Sequence, residues 1–292
     1  MEIKHYSFSI ADVNLKFEYT ETYELDDDTP YIKFRYDGDN FDVINYISIY
    51  DHVNKPTFDG TEQIIQFCPS WTIYRYNDKK VVEFHPNDSY IGYIETKDEW
   101  SMCHTKVLNG YSQTQLLPIS MTGFLCQQII LKRGNTGFFM HGATVMVKGK
   151  NIILTGNSGV GKSTLSRLLK KYENGVRITD DRFILLEDDE TFYSCGNPFD
   201  MKNDECDNVK VKIDAVYFLH HSKINFVKIV PKEKRLMKIF PTAMLPYYAA
   251  NKLSSSVGVI RRMSNRIDMY DLYFTPDEEG VKCLLNNEGG HQ

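Results

Sequence analysis

Gly156-Asn157-Ser158-Gly159-Val160-Gly161-Lys162-Ser163 is the stretch on which the fold turns. It matches G-x-x-x-x-G-K-[ST] in full, and its flanks are those the motif requires. Asn151-Ile152-Ile153-Leu154 reads as a strand running into it, and Thr164-Leu165-Ser166-Arg167-Leu168-Leu169 as a helix running out. Three glycines let the backbone wrap a phosphate chain with successive N–H groups pointing inward. The helix starting near Ser163 adds the positive end of its dipole. Lys162 brings a mobile ammonium to the terminal phosphates, and the Ser163 hydroxyl holds Mg²⁺. Residues 156–164, from Gly156 to Thr164, are therefore the expected nucleotide site.

Downstream, Gly175-Val176-Arg177-Ile178-Thr179-Asp180-Asp181-Arg182 ends a short β run in two carboxylates. Adjacent carboxylates beside a phosphate loop can divide two tasks, one holding a metal and the other accepting a proton from an attacking hydroxyl. The same pair also suits a solvated turn. Upstream, His141 lies in Phe138-Phe139-Met140-His141-Gly142. A histidine in an apolar strand is more often a satisfied core residue than a functional one. Phe138–Val147 and Ile152–Thr155 are apolar, β-branched runs around Lys148-Gly149-Lys150, the pattern of a hairpin. Further strands are expected at Ala215–His220 and Asn225–Ile229, a helix at Thr242–Leu253, and a frayed tail from Asn286. His220-His221 reads as exposed hairpin residues and Glu187-Asp188-Asp189-Glu190 as a hairpin cap. Arg261, Arg262 and Arg266 read as basic surface sooner than as a phosphate clamp.

Residues 1–112 carry short, aromatic, alternating runs: Ile3–Ile10, Tyr31–Tyr36, Trp71–Tyr76, Val81–Phe84 and Tyr90–Ile94. Turn material separates them, including Asp26-Asp27-Asp28 and Pro86-Asn87-Asp88, so this region is expected to be β-rich. Leu116–Lys132 places Leu117, Met121, Phe124, Leu125 and Ile129 at helical spacing. The expected division is thus 1–112 and 113–292, the second part an α/β domain with a mixed sheet. The aromatic richness of the first part suggests acceptor recognition.

Composition narrows the partners. The chain has 292 residues, 42% hydrophobic and 25% charged, ample for a buried core. A net charge of −5 leaves no basic field for nucleic acid or an anionic membrane, and neither is expected as a partner. The six cysteines are scattered without a C-x-x-C pair, which suits reduced thiols and a cytoplasmic setting. The N-terminus shows no apolar signal segment. Asn109–Leu131 is uncharged, but its glutamines, Pro118 and Gly123 make it too polar to span a bilayer.

Taken together, Met140-His141-Gly142, the hairpin, Gly156–Thr164 and Thr179-Asp180-Asp181-Arg182 resemble the catalytic core of HPr kinase/phosphorylase. They also look like the more distant ATP-dependent phosphoenolpyruvate carboxykinases. The resemblance spans roughly residues 115–230 and is strongest over 138–186. It implies a phosphate-loop α/β core and an ATP- and Mg²⁺-dependent kinase acting on a hydroxyl, in particular a serine of a peptide or protein. It implies that His141 contacts the γ-phosphate or its metal, and that Lys162 stabilises charge on the transferred group. Ser163 and one of the aspartates would hold Mg²⁺, with Asp180 favoured as general base and Asp181 as the metal-linked carboxylate. The chain departs from the pattern too. The family's later glycine-arginine signature is missing, Val257-Gly258-Val259-Ile260-Arg261-Arg262 being a loose echo, and the N-terminal region is unlike that enzyme's regulatory domain. The chain is more similar to the HPr-kinase-like proteins encoded with ribosomal peptide maturation systems, some of which phosphorylate a serine of a precursor peptide. Two alternatives accompany this reading: a nucleotide-sensing module that transfers nothing, and a bifunctional kinase/phosphorylase. A homo-oligomer is compatible with either.

Overall fold

Period-two burial builds most of this protein, as seen in a computed structural model that describes residues 5–20, 29–110, 118–132, 137–198, 207–247 and 250–288. The chain forms two compact units: Met1–Gly134 with Tyr247–Ala250, and Asn135–Pro246 with Asn251–Gln292. The first is an eight-stranded mixed sheet of order β1-β2-β3-β8-β7-β6-β5-β4. Its strands are β1 (His5–Ile10), β2 (Val13–Tyr19), β3 (Val43–Tyr50), β4 (Gln63–Cys68), β5 (Trp71–Tyr76), β6 (Lys79–Phe84), β7 (Gly92–Thr96) and β8 (Met102–Leu108). In β2, Val13, Leu15, Phe17 and Tyr19 are buried while Asn14, Lys16 and Glu18 alternate with them, which defines one core face. The run Tyr31–Tyr36, expected as a strand, is instead a 3-10 turn over Pro30–Phe34. Pro30 sits in its first turn, and the Thr29 side chain accepts from the Tyr31 N–H.

Helix α1 (Ile119–Lys132) groups with this sheet, not with the loop-bearing unit to which the sequence pattern assigned it. Its Phe124 ring meets Trp71, Phe84 and Trp100 edge-on, at centroid distances of 5.8, 5.7 and 5.1 Å. Phe124→Ala should cost this unit about 3–5 kcal/mol through the cavity it leaves. The chain's two tryptophans, Trp71 and Trp100, flank that cavity, so denaturant unfolding followed by tryptophan fluorescence reads this unit directly. An unchanged midpoint would mean that α1 is not packed there.

The second unit comprises β9 (Gly137–His141), β10 (Ala143–Val147), β11 (Lys150–Thr155), α2 (Lys162–Glu173), β12 (Val176–Thr179), β13 (Arg182–Asp188), β14 (Thr191–Cys195) and β15 (Lys210–Lys212). It continues with β16 (Ala215–His221), β17 (Phe226–Ile229), α3 (Lys232–Ile239), β18 (Ala243–Met244), α4 (Ala250–Arg266), β19 (Asp268–Phe274) and α5 (Glu278–Glu288). Two sheets form, β12-β10-β11-β16-β19-β17 and β15-β14-β13-β9-β18. In the first, β11, β16 and β19 run parallel. Both of its faces are buried. Ile153, Val216 and Met269 share a core with the second sheet and α4, while Leu154, Tyr217 and Leu272 share one with α2 and α5.

Several expectations change here. Phe138–Val147 is two strands in different sheets, β9 and β10, because the chain crosses over at Gly142. A Cβ there would lie 3.1 Å from the Leu154 carbonyl oxygen, so the crossing is tight. Thr242–Leu253 is not one helix: Ala243–Met244 pairs with β9, and the helix runs over Ala250–Arg266, past Pro246. His220-His221 ends the buried strand β16, whose neighbours β11 and β19 are parallel to it, so no hairpin is formed there. Asn286 lies within α5, and residues 289–292 fall outside the described residues. Glu187–Glu190 does close a hairpin, with Asp188 paired to Thr191. Arg262 forks onto Glu187 at 2.6 and 2.5 Å and Arg266 meets Glu190 at 2.9 Å, so these two arginines fasten α4 to that hairpin. No helix among the described residues is long and apolar enough to cross a membrane.

Candidate functional site

Residues 156–161 carry the chain from the C-terminal end of β11 into α2. Gly156 and Gly161 hold φ of +144° and +99°, values side chains rarely adopt. A Cβ on Gly156 would also lie 3.1 Å from Val160 and 3.3 Å from the Leu219 carbonyl oxygen, and one on Gly161 3.1 Å from the Phe274 ring. Conformation and close approach both require glycine at these positions. The crest, Asn157, Ser158 and Gly159, is exposed. Helix α2 begins without a side-chain cap and without an acidic residue in its first turn. Its first N–H groups therefore face the concave side of the loop with no built-in anion.

Lys162 is buried and folds back over the loop, its Nζ donating to the carbonyls of Gly156 at 3.1 Å and Asn157 at 3.2 Å. Burial pushes its ammonium below the usual lysine range, while the charges of Asp181 and Asp180 act the other way. The loop lysine and both aspartates thus share one electrostatic neighbourhood. Ser163 and Thr164 are half-buried in the first turn of α2, where the Ser163 carbonyl accepts from Ser166 and Arg167.

His141 ends β9. Its carbonyl accepts from Thr155 Oγ1 at 2.7 Å, which ties it to the last residue of the loop strand. Its Nδ1 stands 3.4 Å from Asp181 Oδ1, and the Gly142 N–H donates to the Asp181 carbonyl at 2.9 Å. Asp181 also meets Arg182 Nε at 3.5 Å and keeps 48% of its side chain exposed. Asp180 has another setting. Its Oδ1 pairs with Arg177 Nη1 at 3.3 Å, and the two side chains are only 11% and 8% exposed. The neighbouring carboxylates therefore differ sharply: one opens beside a histidine, the other is enclosed against an arginine.

One group of polar residues at this end of the sheet was not anticipated. His220 Nε2 lies 2.6 Å from Asp271 Oδ1, and Lys238 Nζ meets the same oxygen at 2.5 Å. The imidazole stacks on Tyr273, with centroids 4.6 Å apart. On the other face of the strand, His221 Nε2 contacts the Gly159 carbonyl at 3.2 Å. The loop thus passes over the ends of β16 and β19. An apolar run, Ala215–Leu219, that stops at two histidines was the available signal, but its meaning depends on β16 being the parallel neighbour of the loop strand.

Neither a protein-family model nor a curated protein sequence matches the chain. Among solved structures it is similar, distantly, to the Hpr(Ser) kinase/phosphatase from Coxiella burnetii: 11% identity and a TM-score of 0.30, over 51% of this chain and 95% of that one.

Proposed function

We propose that this chain is an ATP- and Mg²⁺-dependent kinase that transfers the γ-phosphate to a hydroxyl, in particular a serine of a peptide or protein. The observation that carries this reading is a glycine-lined turn on a helix N-terminus with Lys162 folded back over it, next to His141, which is tied to the last residue of the loop strand and paired with Asp181. Phosphoryl transfer asks chiefly for positioning and charge stabilisation, which such a turn and an ammonium supply. The carbonyls of Gly156 and Asn157 now occupy the Nζ donors of Lys162, and phosphate oxygens would replace them.

Among the described residues no three His, Cys, Asp or Glu side chains cluster into a metal cage. Mg²⁺ at a nucleotide site needs one or two protein oxygens, since phosphates and waters complete its shell. The Ser163 hydroxyl, with a carboxylate of the pair, fits that demand. The bound ion would neutralise charge on the phosphates. Exposure favours Asp181 over Asp180 as the group that takes the acceptor's proton, because an acceptor can approach the open carboxylate beside His141 and not the one enclosed by Arg177. This moves the base role from Asp180, where the family resemblance put it, to Asp181.

Incubating the full chain with ATP labelled at its γ-phosphate, Mg²⁺ and lysate of the native host tests the reading. A discrete labelled acceptor that disappears with Lys162→Ala is the expected result. Nucleotide binding without any labelled product would leave a sensing module instead.

A further inference from the structure

Residues 222–238 contain Lys223, Lys228, Lys232, Lys234, Arg235 and Lys238 against one acid, Glu233: a local net charge of +5 in a chain whose net charge is −5. Arg235 is internal, bonded to the carbonyls of Val230 and Ile267 at 3.0 and 2.9 Å. The lysines at 223, 228, 232 and 234 are exposed. Among them stand exposed apolar side chains, Ile224 (67%), Phe226 (39%), Ile229 (55%) and Met237 (77%). One exposed isoleucine needs no explanation. A run of them interleaved with lysines on one strand and the helix after it is a patterned surface.

The strand is β17, the end of its sheet. Val230 N–H donates to the Met269 carbonyl of β19 at 2.8 Å. That fixes the phase of the antiparallel ladder: Phe226 and Lys228 exchange hydrogen bonds with β19, while the N–H and C=O groups of Val227 and Ile229 point outward. Lysine on a short edge strand discourages pairing with copies of the same chain. The same charge admits a strand of opposite sign. From this edge a row of stacked rings crosses β19 to the end of β16. Phe226 stacks on Tyr273 at 4.4 Å, Tyr273 on His220 at 4.6 Å, and the next residue, His221, contacts Gly159.

We infer that the β17 edge docks an extended, acidic peptide segment by strand addition. Outward backbone groups would give the ladder, Lys228 and Lys232 would meet its carboxylates, and Phe226, Ile229 and Met237 would receive its aliphatic side chains. That this segment belongs to the phosphate acceptor rests on the kinase reading above; the docking does not. An RNA backbone would leave the aliphatic side chains and the outward peptide groups unused, and a bilayer would leave the peptide groups unpaired.

The test uses the full chain and a fluorescent peptide alternating Glu and Val around a central Ser, with binding read by anisotropy in the absence of nucleotide. Saturable binding is expected, weakened about tenfold or more, ~1.4 kcal/mol, by Lys228→Glu with Lys232→Glu, and similarly by N-methylating alternate peptide amides. Equal binding of the N-methylated peptide, or of one with Lys in place of Glu, overturns the inference. So does absence of peptide binding when polyuridylate or phosphatidylserine vesicles are captured through the same lysines. With ATP and Mg²⁺ present, the double variant should raise the peptide's KM and leave kcat unchanged. A peptide that binds by these criteria but is never phosphorylated sinks the kinase reading and keeps the docking strand. Equal phosphorylation by the variant does the reverse.

Discussion

Lys162→Ala should erase the stabilisation that ATP with Mg²⁺ gives the wild-type chain. A ligand at about 100 times its Kd adds ~2.7 kcal/mol to the folded state. For a unit of this size that is roughly 5–10 °C in Tm, at about 2–4 °C per kcal/mol. The variant should gain less than about 1 °C, and phosphate transfer should fall with it. The nucleotide-free proteins differ in another way. Burial lowers the Lys162 pKa in the folded state, so between that lowered value and the ordinary 10.5 the unfolded chain binds more protons. Stability contributed by this group therefore rises with pH across that window, and the variant should lack the rise. Thermal melts with and without nucleotide, over a pH series, read both effects. A variant still stabilised by ATP to the wild-type extent would remove the loop from the function altogether.

The loop strand, the tight Lys148-Gly149 hairpin and the turn at Glu187–Glu190 were legible because each is local chemistry: glycines at positive φ in the first two, and in the third a polar turn, with Asp189 and Glu190 at positive φ, between apolar runs. What stayed hidden depends on which strand lies beside which. Phe138–Val147 is continuous in hydropathy, yet it belongs to two sheets, and only their packing shows that Gly142 is a crossing point and that His141 lies at it. His220 gained a buried carboxylate partner from a residue 51 positions away. The helix at Lys232–Ile239 was missed because lysines mask its apolar side, although Arg235 and Ile239 are buried. The lysine-rich segment before it was visible as composition. Its place on a sheet edge, with alternate peptide groups turned outward, was not, because edge and interior strands share the same period of two. Tyr31–Tyr36 shows the converse error, aromatic content read as strand where Pro30 and the Thr29 cap start a turn.

The adjacent aspartates separate by mutation. Asp181→Asn should lower transfer by about 10²–10⁴-fold, the usual contribution of a positioned base, while ATP-dependent stabilisation stays near the wild-type value. It removes the charge beside His141 from a side chain that is about half exposed, so little stability is at stake. Asp180→Asn acts on an enclosed pair. It breaks that buried pair from one side, a loss in the range of ~3–5 kcal/mol. Its main signature should be a lower unfolding midpoint in the absence of nucleotide, with residual transfer in whatever fraction stays folded. Double substitution of Arg177→Met with Asp180→Leu distinguishes structure from chemistry, since replacing both partners with apolar groups restores packing without restoring a carboxylate. Recovered stability together with measurable transfer would fix Asp180 as a support for the turn and Asp181 as the proton acceptor. If transfer is instead lost with Asp180→Asn at unchanged stability, and survives Asp181→Asn, the enclosed carboxylate is the base, and the acceptor must reach it by displacing Arg177.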